Sequence, residues 1–248
     1  MPFSLYLHYP FCKKKCSYCD YYKEAYQGNL EKEFYRALNI ETELTAEKIE
    51  GNDFEIVAIF IGGGTPSISN LKYLIEWLEN LRRFFKLTDS IEFSIETNPE
   101  SITPDNLQVI KDLGINRPIF GIQSFNKKLL QTLSRQHNPH HSYQAIYFAN
   151  ALGFNNFGVD FIFGLPGQTS RMLSDDLDQI IDLNPPHISY YQLTVEESTY
   201  LNKLVSSGQL KLPGQELLLA MYRGIYKQLT DAGYTRYEIS SFAKPGYE

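Results

Sequence analysis

A short apolar, β-branched run followed by a longer segment of helical periodicity recurs six times along the chain, and this alternation limits the folds open to it. The strand-like runs fall at 3–9, 55–61, 90–96, 116–122, 158–163 and 187–193. Helices are expected at 29–48, 70–86, 104–113, 127–152 (in two pieces), 170–182 and 214–232. Strands and helices that alternate at about 30-residue spacing imply βαβ units and a parallel sheet. The expected class is therefore α/β, and six units favour a partial or complete barrel over a two-faced open sheet. With 248 residues, 43% of them hydrophobic, the chain can bury a large core as one domain. Local punctuation agrees with this reading. Thr103, Pro104 and Asp105 supply a cap, a first-turn proline and an acid, and Gly114 closes that helix.

Polar residues collect where the strand-like runs end. A cysteine loop follows the first strand, and Gly62-Gly63-Gly64-Thr65-Pro66-Ser67 follows the second. Glu96 ends the third strand and Gln123 the fourth. Asp160 lies in the fifth, and Thr194 and Glu196 follow the sixth. Catalytic groups of βα barrels gather at the C-terminal ends of the strands, so these residues are expected to share one rim. Singly, each has a plainer role: a tight turn for the glycines, a cap for Glu96, a buried backbone partner for Gln123, an ion pair for Arg135.

All three cysteines of the chain sit within eight residues, Cys12, Cys16 and Cys19 in HYPFCKKKCSYCDYY. Thiolates are the preferred ligands of iron–sulfur clusters. Three of them would leave one iron of a four-iron cube open to a small molecule. An odd count argues against a disulfide framework. A structural zinc site is the alternative; it requires a fourth ligand, for which His8 is the nearest candidate. Lys13, Lys14 and Lys15 favour the thiolate form.

A net charge of −6 with scattered acids and bases gives no basic footprint for nucleic acid. The N-terminal MPFSLYLHYPF lacks a charged n-region and reads as a buried strand rather than a signal peptide. No apolar run reaches the length of a membrane span. Reduced cysteines suited to a cluster place the protein in the cytoplasm as an expectation.

The cysteine spacing, followed by GGGTP on a βα scaffold, resembles the radical S-adenosylmethionine (SAM) superfamily. LYLHYPFCKKKCSYCDYY, IGGGTPS, IETNPE, GIQSFN, SRQHN, VDFIFGLPGQT and YEISSFAKPG resemble, in order, the oxygen-independent coproporphyrinogen III oxidase-like family, and most nearly its HemW-type branch of haem chaperones. The resemblance implies a partial (β/α)6 barrel with a [4Fe-4S] cluster on Cys12, Cys16 and Cys19 and SAM chelating the open iron. It implies SAM contacts from Tyr6, Tyr18, Gly63, Gly64, Thr65, Glu96, Gln123, Arg135, Asp160 and Thr194. Cleavage of SAM by an electron from the cluster would give methionine and a 5′-deoxyadenosyl radical. The implied partners are haem or a porphyrinogen, a haem-acceptor protein and a reductant such as flavodoxin or ferredoxin.

Departures from the family pattern separate its branches. Oxidases of the HemN type carry a fourth cysteine two residues beyond the third, where this chain has Tyr21, and an N-terminal extension before the first strand. Both differences favour the HemW-type reading, with coproporphyrinogen oxidation as the alternative. Relatives continue into a further domain, so residues 1–232 are expected to be the barrel core and 233–248 the start of a truncated C-terminal region. Arg117-Pro118-Ile119 is expected to disturb the fourth strand, because proline cannot donate to the ladder. His137, His140 and His141 are expected at a solvated helix start, with haem ligation assigned to none of them.

Overall fold

The computed structural model describes residues 2–49 and 54–248. The chain divides into two compact units, one of residues up to Lys14, Tyr21–Thr97 and Ser101–Pro118, the other of Lys15–Asp20, Asn98–Glu100 and Ile119–Glu248.

In the first unit the elements are β1 (Pro2–Tyr9), β2 (Phe11–Cys12), β3 (Glu24–Ala25), α1 (Gly28–Lys48), β4 (Glu55–Gly63), α2 (Leu71–Phe84), β5 (Lys86–Thr97) and α3 (Pro104–Asp112). β1, β4 and β5 pair in parallel, with Leu7 opposite Ile61 and Ile59 opposite Phe93. Ile56, Ile59 and Ile61 of β4 enter a core with Leu74, Trp77, Leu78 and Leu81 of α2. That is the one-stripe burial an amphipathic helix needs against a sheet. α2 starts where the Asn70 side chain accepts from Lys72 N–H at 3.0 Å, and α3 has the expected Thr103 cap, here reciprocated by Asn106.

β5 begins four residues before the expected 90. Lys86 and Leu87 pair with Glu55 and Ile56, and the register then jumps to Ala58 opposite Glu92. Polar Thr88, Asp89 and Ser90 occupy the resulting bulge, so periodicity there is lost in the sequence.

The second unit holds most of β6 (Arg117–Gln123), then α4 (Lys127–Thr132), α5 (Pro139–Ala151), β7 (Gly158–Phe163), α6 (Ser170–Leu183), β8 (His187–Gln192), α7 (Tyr200–Ser206), α8 (Gln215–Asp231), β9 (Thr235–Arg236) and β10 (Ser241–Ala243). β6, β7 and β8 are parallel, while β10 runs antiparallel to both β8 and β9. Phe161 and Tyr190 stack at 5.4 Å between centroids inside this unit. The ladder between β6 and β7 begins at Ile119, directly after Pro118. β6 starts at Arg117, whose guanidinium pairs with Glu92 at 2.7 Å. Its register with β7 runs evenly from Ile119 and slips between Gly121 and Gln123.

Candidate cofactor site

Cys12 belongs to the first unit and ends β2. The chain returns at β3, with Glu24 N–H bonded to Pro10 O at 2.8 Å and Tyr26 N–H to Cys12 O at 2.9 Å, which closes the cysteine loop at its base. The three cysteines form no disulfide. The Thr65 hydroxyl donates to Cys12 Sγ at 3.5 Å, a contact that supports a thiolate. Behind the loop, the Glu31 carboxylate accepts from Tyr9 OH (2.8 Å), Tyr26 OH (3.0 Å) and Asn70 N–H (2.9 Å).

The glycines at the end of β4 let the chain press against the residues that lead into this loop. A Cβ on Gly64 would lie 2.6 Å from Phe11 O, and one on Gly63 would lie 2.7 Å from the His8 ring. Gly63 also sits at φ +110°, which L side chains avoid. Gly64 N–H reaches Tyr9 O at 2.7 Å and Thr65 N–H reaches Phe11 O at 2.9 Å. Gly63 N–H donates to Glu96 Oε2 at 3.0 Å. Tyr6 is 58% exposed, and its hydroxyl meets His8 Nδ1 at 2.9 Å. Burial, then the Glu96 charge, raises the Tyr6 pKa. His8 Nε2 is bonded to Tyr22 O at 2.9 Å. With both ring nitrogens engaged, His8 does not offer the fourth ligand that a zinc site requires.

Cys16, Tyr18 and Cys19 lie in the second unit. Ser17 anchors them: its N–H bonds Leu133 O at 3.1 Å, its carbonyl receives Leu201 N–H at 2.8 Å, and its hydroxyl donates to Thr132 O at 3.0 Å. Arg135 Nη1 approaches Cys16 Sγ at 3.6 Å, while Nη2 donates to Asn98 Oδ1 at 2.7 Å and to Gly121 O at 2.8 Å. Its Nε donates to His137 Nδ1 at 3.4 Å. Burial alone would lower the Arg135 pKa, but Tyr18, Cys16 and Glu100 outweigh it, and the guanidinium stays charged. Burial likewise drives the Tyr18 pKa up. The Arg135 charge opposes that shift, and Cys16, Cys19 and Asp160 add to it, which places these five groups in one electrostatic neighbourhood.

His137 departs from the solvated role expected of it. The ring is buried; Nε2 bonds Ile122 O at 2.9 Å, and Nδ1 lies 3.4 Å from Glu100 Oε2. Burial lowers its pKa against the pull of Glu100, so the neutral Nε2–H tautomer fits, with Nδ1 accepting from Arg135. His141 keeps the expected role, accepting Asn138 N–H at 3.2 Å in a reciprocal cap.

Gln123 folds back over Gly121, where a Cβ would lie 3.0 Å from its Nε2 and 3.4 Å from Arg135 Nη2. Tyr191 OH donates to Gln123 Oε1 at 3.2 Å. Asp160 is half-buried on β7. Thr194 is exposed just past β8, and among the described residues no bond joins it to the others. Asn98, Glu100, Asp176 and Glu31 were not singled out by motif; their roles depend on partners distant in sequence.

Among the described residues, no three or more His, Cys, Asp and Glu side chains form a group able to close around a single metal ion. The fit to an iron–sulfur cluster rests on donor chemistry, namely three thiols outside any disulfide, one facing a hydroxyl donor and one a part-buried guanidinium.

Residues 6–180 match the family model described as Radical SAM superfamily. The chain is 36% identical over 247 residues to the heme chaperone HemW of Escherichia coli (strain K12), covering 100% of this chain and 64% of that protein. It is also 36% identical over 246 residues to HemW of Bacillus subtilis (strain 168), covering 99% and 64%. It thus spans just under two thirds of the length of these relatives. The solved structure of coproporphyrinogen III oxidase (HemN) from Escherichia coli, described as a radical SAM enzyme, superposes with a TM-score of 0.90 at 28% identity, over 100% of this chain and 56% of that one. The strand–helix order, the cysteine loop and the polar strand ends agree with these matches, and the chain belongs to the radical SAM superfamily.

Proposed function

We propose that this chain is the cofactor-binding portion of a HemW-type haem carrier. It holds a [4Fe-4S] cluster on Cys12, Cys16 and Cys19, with SAM at the open iron. The observation that carries this reading is the similarity, along nearly all of this chain, to heme chaperones HemW. When bound, the cluster and SAM supply one-electron reductive cleavage of a sulfonium bond. The chain's own residues do the holding. Thr65 and Arg135 donate toward the sulfurs of Cys12 and Cys16, and Glu96 and Gln123 offer oxygens to amino or hydroxyl groups. Arg135 adds a fixed positive charge for the methionyl carboxylate. Haem, a haem-acceptor protein and a flavodoxin- or ferredoxin-like reductant are the proposed partners, and the cytoplasm the proposed compartment. Among the described residues, no helix is long and apolar enough to cross a membrane.

Exchange of Arg135 for methionine keeps its apolar stem and removes the charge. SAM affinity is expected to fall about tenfold or more, the scale of one lost charge-assisted hydrogen bond. Equilibrium dialysis, normalised to iron content, measures this; unchanged affinity would remove Arg135 from the SAM site.

The second reading, coproporphyrinogen III oxidation, is favoured by the likeness to the HemN structure. Formation of 5′-deoxyadenosine by the reconstituted, reduced protein separates the two. The haem-carrier reading expects no stimulation by coproporphyrinogen III, together with a Soret band on adding haem. Substrate-dependent formation matched by decarboxylated product would establish the oxidase.

A further inference from the structure

The turn that carries Gln123 out of β6 is held by a carboxylate from another helix. Gln123 has φ 68°, a left-handed conformation that costs a non-glycine residue free energy and persists only when its surroundings enforce it. The enforcement follows immediately in the chain. Ser124 N–H donates to Ile122 O at 2.9 Å. Ser124 Oγ–H donates to Asp176 Oδ2 at 2.7 Å, and Phe125 N–H donates to Asp176 Oδ1 at 2.8 Å. Ser124 Oγ in turn accepts from Asn126 N–H at 2.9 Å, and Asn126 caps α4. Asp176 is 1% exposed, on the inner face of α6.

We propose that Asp176 is a positioning residue for SAM binding: it fixes the Gln123–Phe125 turn and thereby aims the Gln123 amide beside Arg135. The proposal rests on the SAM reading above.

Among the described residues, no cation is paired with this carboxylate. The groups facing it are Ser124 and Phe125 after β6, Tyr190 from β8, Tyr143 from α5 and Asp175 on its own helix. The buried Tyr190 hydroxyl has no hydrogen-bond partner among the described residues. Burial pushes the Asp176 pKa from 3.8 up to about 6, against the opposing pull of the Ser124 and Phe125 hydrogen bonds. The folded chain therefore binds this proton more tightly than the unfolded one. The contribution to stability is full below about pH 4 and is lost as pH rises through about 6. An ionised carboxylate here costs stability at neutral pH. What it provides in return is two acceptors aimed at one turn. Asparagine fills the same space with one acceptor and one donor, so it keeps at most one of the two acceptors that hold Ser124 Oγ–H and Phe125 N–H.

Hydrogen exchange and SAM titration of Asp176→Asn and Ser124→Ala test this. Exchange is read on the metal-free chain and affinity on the reconstituted one. In Asp176→Asn the Phe125 amide is expected to exchange about fivefold to thirtyfold faster, the ratio for one lost hydrogen bond. SAM affinity is expected to fall at least about fivefold, while the fall in stability between pH 4 and 6 flattens. Ser124→Ala, which removes a single donor, is expected to move exchange and affinity the same way by less. Unchanged Phe125 exchange in both variants would refute the clamp. Faster exchange with unchanged SAM affinity would refute its positioning role. A wild-type chain that takes up the cluster but no SAM would instead overturn the SAM reading, and the positioning role with it.

Discussion

A Cys16→Ala chain reconstituted with iron and sulfide is expected to remain colourless, and Cys12→Ala and Cys19→Ala to behave alike. Two thiolates cannot hold a four-iron cube whose remaining corner is reserved for a small molecule. The effect should be near complete, because nothing in the loop replaces a lost ligand: Tyr21 has no soft donor, and His8 is occupied by Tyr6 and Tyr22. Iron and sulfide analysis with the visible spectrum reads the outcome. An unchanged brown spectrum would refute the cluster assignment. Stoichiometric zinc with no iron in the wild-type chain would restore the alternative left open by the cysteine spacing.

The largest expected loss of stability is at Glu31. This carboxylate is 1% exposed and joins three separate segments, through Tyr9 at the end of β1, Tyr26 after β3 and Asn70 at the cap of α2. Burial and the Glu31 hydrogen bond together drive the Tyr9 phenol well above its ordinary pKa, so it remains a donor throughout the working range. Glu31→Ala strands the buried Tyr9 hydroxyl away from water, at about 1–3 kcal/mol, and removes the acceptor of Tyr26 OH and of the Asn70 amide as well. The expected cost is about 3–5 kcal/mol by urea denaturation, with Glu31→Gln, which keeps an acceptor, losing about 1–2 kcal/mol. A Glu31→Ala loss below about 1 kcal/mol would mean that water reaches these groups and that they are not held in common.

The six βα units were legible because periodicity and caps act locally. Thr103, Pro104 and Gly114 mark α3 as clearly in the sequence as in the fold. α7 was missed, although Thr199 accepts Asn202 N–H as an ordinary helix cap; the helix is one of the shortest, with a brief apolar pattern. β9 and β10 are too short for alternation to show. Within the site, cysteines and glycines announce themselves by spacing. The members of the Arg135 network do not. Whether His137 is a solvated cap or a buried acceptor depends on Glu100 and Ile122, which are distant in sequence and meet it only through the fold. Pro118 sits at the strand start, where proline is tolerated and the pairing with β7 has not yet begun; the slip at Gly121–Gln123, where the strand end turns left-handed, was not legible.

Ser17 lies between Cys16 and Cys19, and both its backbone groups and its hydroxyl are bonded to α4 and α7. Small metal-binding modules commonly acquire their shape only when the metal arrives, so their chelation energy is consumed by ordering the chain. Here the middle of the proposed ligand loop is tied to helices by the chain's own hydrogen bonds. Cofactor loading is then a binding event on a formed surface: losing the cluster should leave the fold standing, and an emptied chain should accept a new one without refolding.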